Sequence, residues 1–145
     1  MIDEIQNQVI HKYWQSYLSP ISKEGEKLPV DYQAWSFGNN QEMADRLGKL
    51  VCVGKKTATS SLLWWYEGGI EPLPEVGDHS IILDGLDQPL CIIQTTELIG
   101  LAFNEVAEAH AYLEGAGDRS LLYWREVHWG FFSKECLELG KDPHK

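Results

Sequence analysis

His79-Ser80-Ile81-Ile82-Leu83-Asp84-Gly85-Leu86-Asp87-Gln88-Pro89-Leu90-Cys91-Ile92-Ile93-Gln94-Thr95-Thr96 holds two runs, 79–84 and 89–96, rich in β-branched and aliphatic residues. Such side chains fit a pleated surface, so both runs are expected to be strands. Asp84-Gly85 and the residues up to Pro89 make a short, turn-rich connection, which reads as a hairpin. Gly77-Asp78, Pro72 and Pro74 punctuate the loop before it. A further strand is expected over 58–66, and 30–37, with loosely alternating Val30, Tyr32 and Ala34, is expected to be extended.

Outside these runs the period changes to helical. Over 3–18, Ile2, Ile5, Val9, Tyr13 and Tyr17 fall near one face, and Asp3 with Gln6 can form a capping box. Pro20 and the polar run Ser22 to Lys27 are expected to end that helix. A second helix is expected from Gln41 to Val51, capped by Asn39 or Asn40 and stopped by Gly54 in the left-handed conformation. A third runs from a cap at Asn104 to Glu114, stopped by Gly115. The last starts from Asp118, ends near Gly140 and carries Leu121, Trp124, His128 and Phe131 on one face. Strands bracketed by helices without regular alternation indicate an α+β fold.

The chain has 145 residues, the length of one ordinary domain, and 43% of them are hydrophobic, enough for one core. It is expected to be a single domain over 1–145, with an N-terminal helix and loop over 1–29 and a motif-bearing core over 30–139. Cys52, Cys91 and Cys136 are odd in number and widely spaced, which favours buried free thiols in a reducing compartment. The start Met1-Ile2-Asp3-Glu4 lacks a basic region followed by an apolar run, and no stretch is long and apolar enough for a membrane span. A cytoplasmic protein with no membrane partner is therefore expected. The five histidines show no metal-ligand spacing, and no cofactor is implied. Twelve basic against twenty-two acidic side chains give a net charge of −10, which weakens long nucleic acids as partners.

Gly54-Lys55-Lys56-Thr57-Ala58-Thr59 lies where a helix is expected to give way to a strand. It is too short for a phosphate loop, and composition alone favours a solvated basic turn. The sharper reading directs Lys56 and Thr59 into a cleft, where a Lys of lowered pKa takes a proton from Thr and makes it a nucleophile. Desolvation would lower that pKa and a carboxylate would raise it. Glu114, at the C-terminal end of its helix, faces the negative end of the macrodipole, where a cation would be preferred. It is a candidate for proton transfer or for orienting a Lys, with Glu97 as its competitor. Trp64 and Trp65 are adjacent, so in a strand they would point to opposite faces, leaving one free to stack on a base. His128 reads as a hydrogen-bonded core residue. Ser60 and Ser61 lack the Gly-x-Ser-x-Gly elbow of one hydrolase class.

Several motifs in order now carry a resemblance. Trp35-Ser36-Phe37-Gly38, the Gly54 to Thr59 segment and Leu73-Pro74-Glu75-Val76-Gly77-Asp78 resemble the ASCH domain family. So do Glu114-Gly115-Ala116-Gly117-Asp118, Trp124-Arg125-Glu126-Val127-His128 and Phe131-Phe132. The resemblance implies a PUA-like β-barrel flanked by helices, with a cleft for RNA or nucleoside-like ligands. Some members remove the acetyl group of N4-acetylcytidine with a Lys, a Thr and a Glu, which match Lys56, Thr59 and Glu114, the last after His110-Ala111. Trp35, Phe37, Lys55, Thr57, Trp65 and Arg125 are the ligand-binding residues expected around them. Two departures stand out: Asn39 replaces a usual Asp, and the chain ends at Lys145, where such proteins continue into the strand that completes the barrel. The open edge is expected to be covered by a partner protomer or by the N-terminal helix. The leading expectation is an amidohydrolase acting on a small modified nucleoside. The alternatives are a non-catalytic RNA-binding module and a ribonuclease using the same cleft.

Overall fold

In the computed structural model of the chain, the structure describes residues 4–21, 31–69 and 71–143. They fall into two compact units, one formed by 1–52 with 74–98 and the other by 53–73 with 99–145. The helices and strands mix as an α+β fold requires, and the strands belong to the first unit.

In the first unit, helix α1 spans Glu4–Ile21, strand β1 Gln33–Trp35, helix α2 Gln41–Cys52, strand β2 His79–Leu83 and strand β3 Pro89–Gln94. The sheet has the order β1-β2-β3. β1 runs parallel to β2, with Ala34 opposite Ile81, and β2 pairs antiparallel with β3, with Ile82 opposite Cys91. The expected hairpin is present: Asp84 N donates to Gln88 O at 2.9 Å, and Asp84 Oδ1 accepts from Leu86 N and Gln88 N. Ile81, Ile82 and Leu83 are all buried, although neighbouring residues of a strand face opposite ways. Both faces of β2 are covered. Ile10 and Trp14 of α1 pack with Ile81 and Leu83, and Gly48 of α2 lies against Leu90 and Ile82.

α2 starts where expected, with Asn40 Oδ1 accepting from Met43 N at 2.8 Å, and the turn after it holds Gly54 at φ 79°. α1 runs past the expected stop, with Pro20 inside its last turn. The proposed cap at Asp3, the run Ser22 to Lys27 and Val30 lie outside the described residues. The buried-thiol expectation holds for Cys136 alone; Cys91 is half-buried, and Cys52, the last residue of α2, is exposed. Burial, with a hydrogen bond from the Cys91 thiol to Cys52, pushes the Cys91 thiol up to about 12.

The second unit holds helix α3, Leu63–Glu67, a 3-10 turn at Phe103–Glu105, helix α4, Glu108–Glu114, and helix α5, Leu121–Glu138. Its largest departure from expectation is at 58–66. Residues 56–62 form no helix and pair with no strand, and 63–67 are helical, so Trp64 and Trp65 share a helix turn and are both half-buried. The physical reason is where the backbone bonds go: Thr57 N and Ala58 N both donate to Leu113 O, at 2.8 and 3.2 Å, docking the segment on the end of α4. Among the described residues the sheet therefore has three strands and does not close into the expected barrel. α4 begins later than expected because Phe103–Glu105 form the separate 3-10 turn. α5 is capped by Ser120, whose Oγ accepts from Tyr123 N at 3.1 Å. Among the described residues, no helix is long and apolar enough to cross a membrane.

Candidate functional site

The second unit contains a buried polar cluster built from three backbone segments. Gly115 ends α4 at φ 78°, and a Cβ there would lie 2.6 Å from Lys55 O. Only glycine fits both the left-handed backbone and that close approach. The Lys55–Ala58 strip thus lies against the end of α4, which brings Lys56 to Glu114.

Lys56 Nζ is 3.4 Å from Glu114 Oε1, and each side chain is only 4% exposed. Nζ also donates to Ala58 O at 2.8 Å and to Glu114 O at 3.4 Å. The Lys56 cation sits where a helix C-terminus favours positive charge, offsetting the unfavourable placement of Glu114. Burial draws the Lys56 ammonium below its ordinary value, and the Glu114 charge and hydrogen bond offset only part of that. For Glu114, burial pushes upward, but the His128 contact, the Lys56 charge and the Ser60 hydrogen bond hold the carboxyl far below the usual carboxylate range. It is ionised throughout the neutral range.

Glu114 Oε2 accepts from Ser60 Oγ at 2.7 Å, from His110 Nε2 at 2.8 Å and from the Trp124 indole N–H. A carboxylate only accepts, so a hydrogen bond from His110 to Glu114 requires the imidazole proton on Nε2. The same Nε2 lies 2.8 Å from Ser60 Oγ. A serine–histidine–acid relay needs serine and acid on different imidazole nitrogens; here both meet Nε2, so the imidazole cannot relay. His128 stacks on Trp124, with ring centroids 4.3 Å apart, donates from Nδ1 to Trp124 O at 2.9 Å and points Nε2 at Glu114 Oε1, 3.4 Å away. The cluster opens toward solvent through half-buried Ser60 and through His110, 33% exposed. Among the described residues, no group of three His, Cys, Asp or Glu side chains is placed to hold a metal ion.

Beside Ser60 lies a cleft of about 240 Å³, lined by Ser60, Ser61, Trp65, Tyr66, Glu71, Phe131 and Glu135. The Trp65 indole N–H donates to Glu135 Oε2. Burial pushes the Glu135 carboxyl up; the Trp65 bond opposes that, while the charges of Glu138 and Glu71 add to it.

Of the residues expected to act, Lys56 and Glu114 meet. Thr59 has an exposed side chain, and the hydrogen bonds of the cluster run through Ser60 instead. Glu97 is exposed and belongs to the first unit. Trp65 lines the cleft; Lys55, Thr57 and Arg125 are exposed. Trp35 and Phe37 belong to the first unit, ring centroids 4.8 Å apart, with Phe37 buried. Ser60, His110, Trp124 and His128 complete the cluster, and none was expected to act. The available signal was spacing: His110–Glu114 and Trp124–His128 are each four apart on a helix, which puts each pair on one face.

The sequence profile of the ASCH domain matches residues 33–145. The chain belongs to the ASCH domain family. A crystal structure of the ASCH domain from Lactobacillus crispatus JV V101 is similar at 33% identity and TM-score 0.87, over 99% of this chain and 87% of that one. Protein EF3133 from Enterococcus faecalis V583, a crystal structure assigned to family DUF984, is similar at 38% identity and TM-score 0.82, over 94% of this chain and 80% of that one. No curated protein matches. In this ASCH domain chain the Gly54 to Thr59 and Glu114 to Asp118 motifs are the two segments that meet at Gly115 and Lys55.

Proposed function

We propose that the chain is an amidohydrolase acting on a small acylated nucleoside, with the Lys56–Glu114 pair at its centre. The observation that carries the reading is a lysine and a carboxylate buried side by side, next to a half-buried hydroxyl at the mouth of a small cleft. Glu114, held ionised, fits the role of an anchor that orients Lys56, and it is too weak a base to be the proton acceptor. Lys56, drawn down by burial, fits the role of base once it has released its proton. In that reaction the Thr59 hydroxyl proton passes to Lys56 Nζ, and Thr59 Oγ bonds to the acyl carbon. The carbon–nitrogen bond then breaks as the amine takes the proton. Water next hydrolyses the acyl ester, releasing the acid and freeing Thr59.

A second reading makes Ser60 the nucleophile, because its Oγ, rather than that of Thr59, is hydrogen-bonded into the cluster. Incubation of N4-acetylcytidine with the wild type and with Lys56→Ala, Thr59→Ala and Ser60→Ala, followed by chromatography for cytidine, tests both. Turnover by the wild type, abolished in Lys56→Ala and in one hydroxyl variant, supports hydrolysis and names the nucleophile. Absence of turnover on any acylated nucleoside removes the enzyme reading. A short RNA in parallel separates binding or cleavage of RNA from both.

A further inference from the structure

The cleft beside Ser60 has a chemistry of its own. Three of its walls are the aromatic rings of Trp65, Tyr66 and Phe131, and its charged groups, Glu71 and Glu135, are both acidic. Aromatic walls accept a flat ring by stacking. Two carboxylates repel an anion and attract groups that donate N–H. Glu135 lines the cleft and is held there through Oε2, which takes the Trp65 indole N–H, while a carboxylate has a second oxygen that can accept. The geometry points to Glu135 as the specificity-determining residue of this cleft, accepting an N–H from a planar nitrogen heterocycle. The inference rests on the functional reading above, since Ser60 joins the cleft to the Lys56–Glu114 cluster and the ring would be the base of the nucleoside.

Cytidine carries an exocyclic amino donor where uridine carries a carbonyl acceptor, but uridine also has a ring N–H beside it, so 3-methyluridine, which has the carbonyl and lacks that N–H, serves as the second probe. Calorimetry with the wild-type chain is expected to give cytidine roughly tenfold tighter binding than 3-methyluridine, the scale of one hydrogen bond to a charged acceptor. Glu135→Gln makes the sharper test. The Trp65 N–H will hold the amide oxygen, so the amide NH₂ turns to the ligand, and the order is expected to reverse in favour of 3-methyluridine. Glu135→Ala is expected to abolish the preference and decides the matter if Glu135→Gln fails to fold. Equal affinity in the wild type, a retained cytidine preference in both variants, or no binding of either nucleoside overturns the proposal. So does an equal weakening of both ligands, since that is what loss of support for Trp65 alone would give. Turnover of N4-acetylcytidine is read separately. A Glu135-dependent preference without turnover removes only the hydrolase reading, and turnover with a Glu135-independent preference removes only this one.

Discussion

Replacing Glu114 with Gln isolates the charge at the centre of the cluster while keeping its shape. The amide oxygen can still accept from Ser60, His110 and Trp124, but the NH₂ must then face Lys56 Nζ and His128 Nε2, two groups that sit 3.4 Å from the carboxylate oxygen it replaces. Lys56, 4% exposed, then loses the carboxylate charge 3.4 Å from its ammonium. Breaking a buried pair by removing one partner costs about 3–5 kcal/mol. For a chain of 145 residues this corresponds to a fall in Tm of about 10–15 °C. The loss should depend on pH. A lysine whose folded pKa lies below its unfolded one binds fewer protons in the folded state between the two values, so stability rises with pH across that window. Removing Glu114 lowers the folded value further, so the variant's deficit should shrink as pH rises from 7 toward 10. Urea unfolding followed by tryptophan fluorescence at several pH values measures both effects. Lys56→Met combined with Glu114→Gln should recover most of the loss. A deficit below about 1 kcal/mol at pH 7, or one that does not change with pH, would refute the view of Lys56 and Glu114 as a mutually dependent buried pair.

On the acid side, the Glu114 carboxyl is depressed in the folded state, so its stabilisation is complete above the unfolded carboxylate range and is lost as pH falls through the folded value. The gap between the wild type and Glu114→Gln should start to narrow below about pH 5 and close only as pH reaches the depressed folded value, in acid titrations of unfolding free energy. Gly115→Ala forces a side chain into the left-handed region and against Lys55 O; a loss of roughly 2–4 kcal/mol is expected by denaturant melts. Gly48→Ala is the contrasting case: the tight contact of its Cβ would be with the flexible end of Leu90, and helix propensity gains about 1 kcal/mol, so near-neutral stability is expected in the same melts. A thiol reagent should label exposed Cys52 first, Cys91 slowly because its thiol is pushed up to about 12, and buried Cys136 only on unfolding, as read by mass spectrometry.

Local chemistry made the first unit legible. The runs at 79–84 and 89–96, the Asp84 turn and the Asn40 cap each act over a few residues, and the structure keeps all of them. The segment 58–66 failed for the opposite reason. Its composition suits a strand, but strand formation needs a partner edge, and the amides of Thr57 and Ala58 are bound by Leu113, a carbonyl more than fifty residues away. A propensity read over nine residues cannot contain that bond. The closed barrel was lost with the strand, because it was inferred for the family as a whole and depended on every strand being present.

The site divides along the same line. Lys56 and Glu114 were found by family motif, and the structure supplies the reason they belong together: Gly115 allows the chain at Lys55 to approach until no side chain would fit. Ser60 was missed because its neighbours in sequence say nothing of Glu114. Its proximity comes with the docking of Thr57 and Ala58 on the end of α4, which brings the third residue beyond Thr57 to the carboxylate of that helix. Had 58–66 formed a laddered strand, the Ala58 amide could have been committed to a neighbouring strand and lost to the Leu113 carbonyl. The failed strand and the assembled cluster are thus one event. A substitution that restores strand pairing to this segment should take Ser60 away from Glu114.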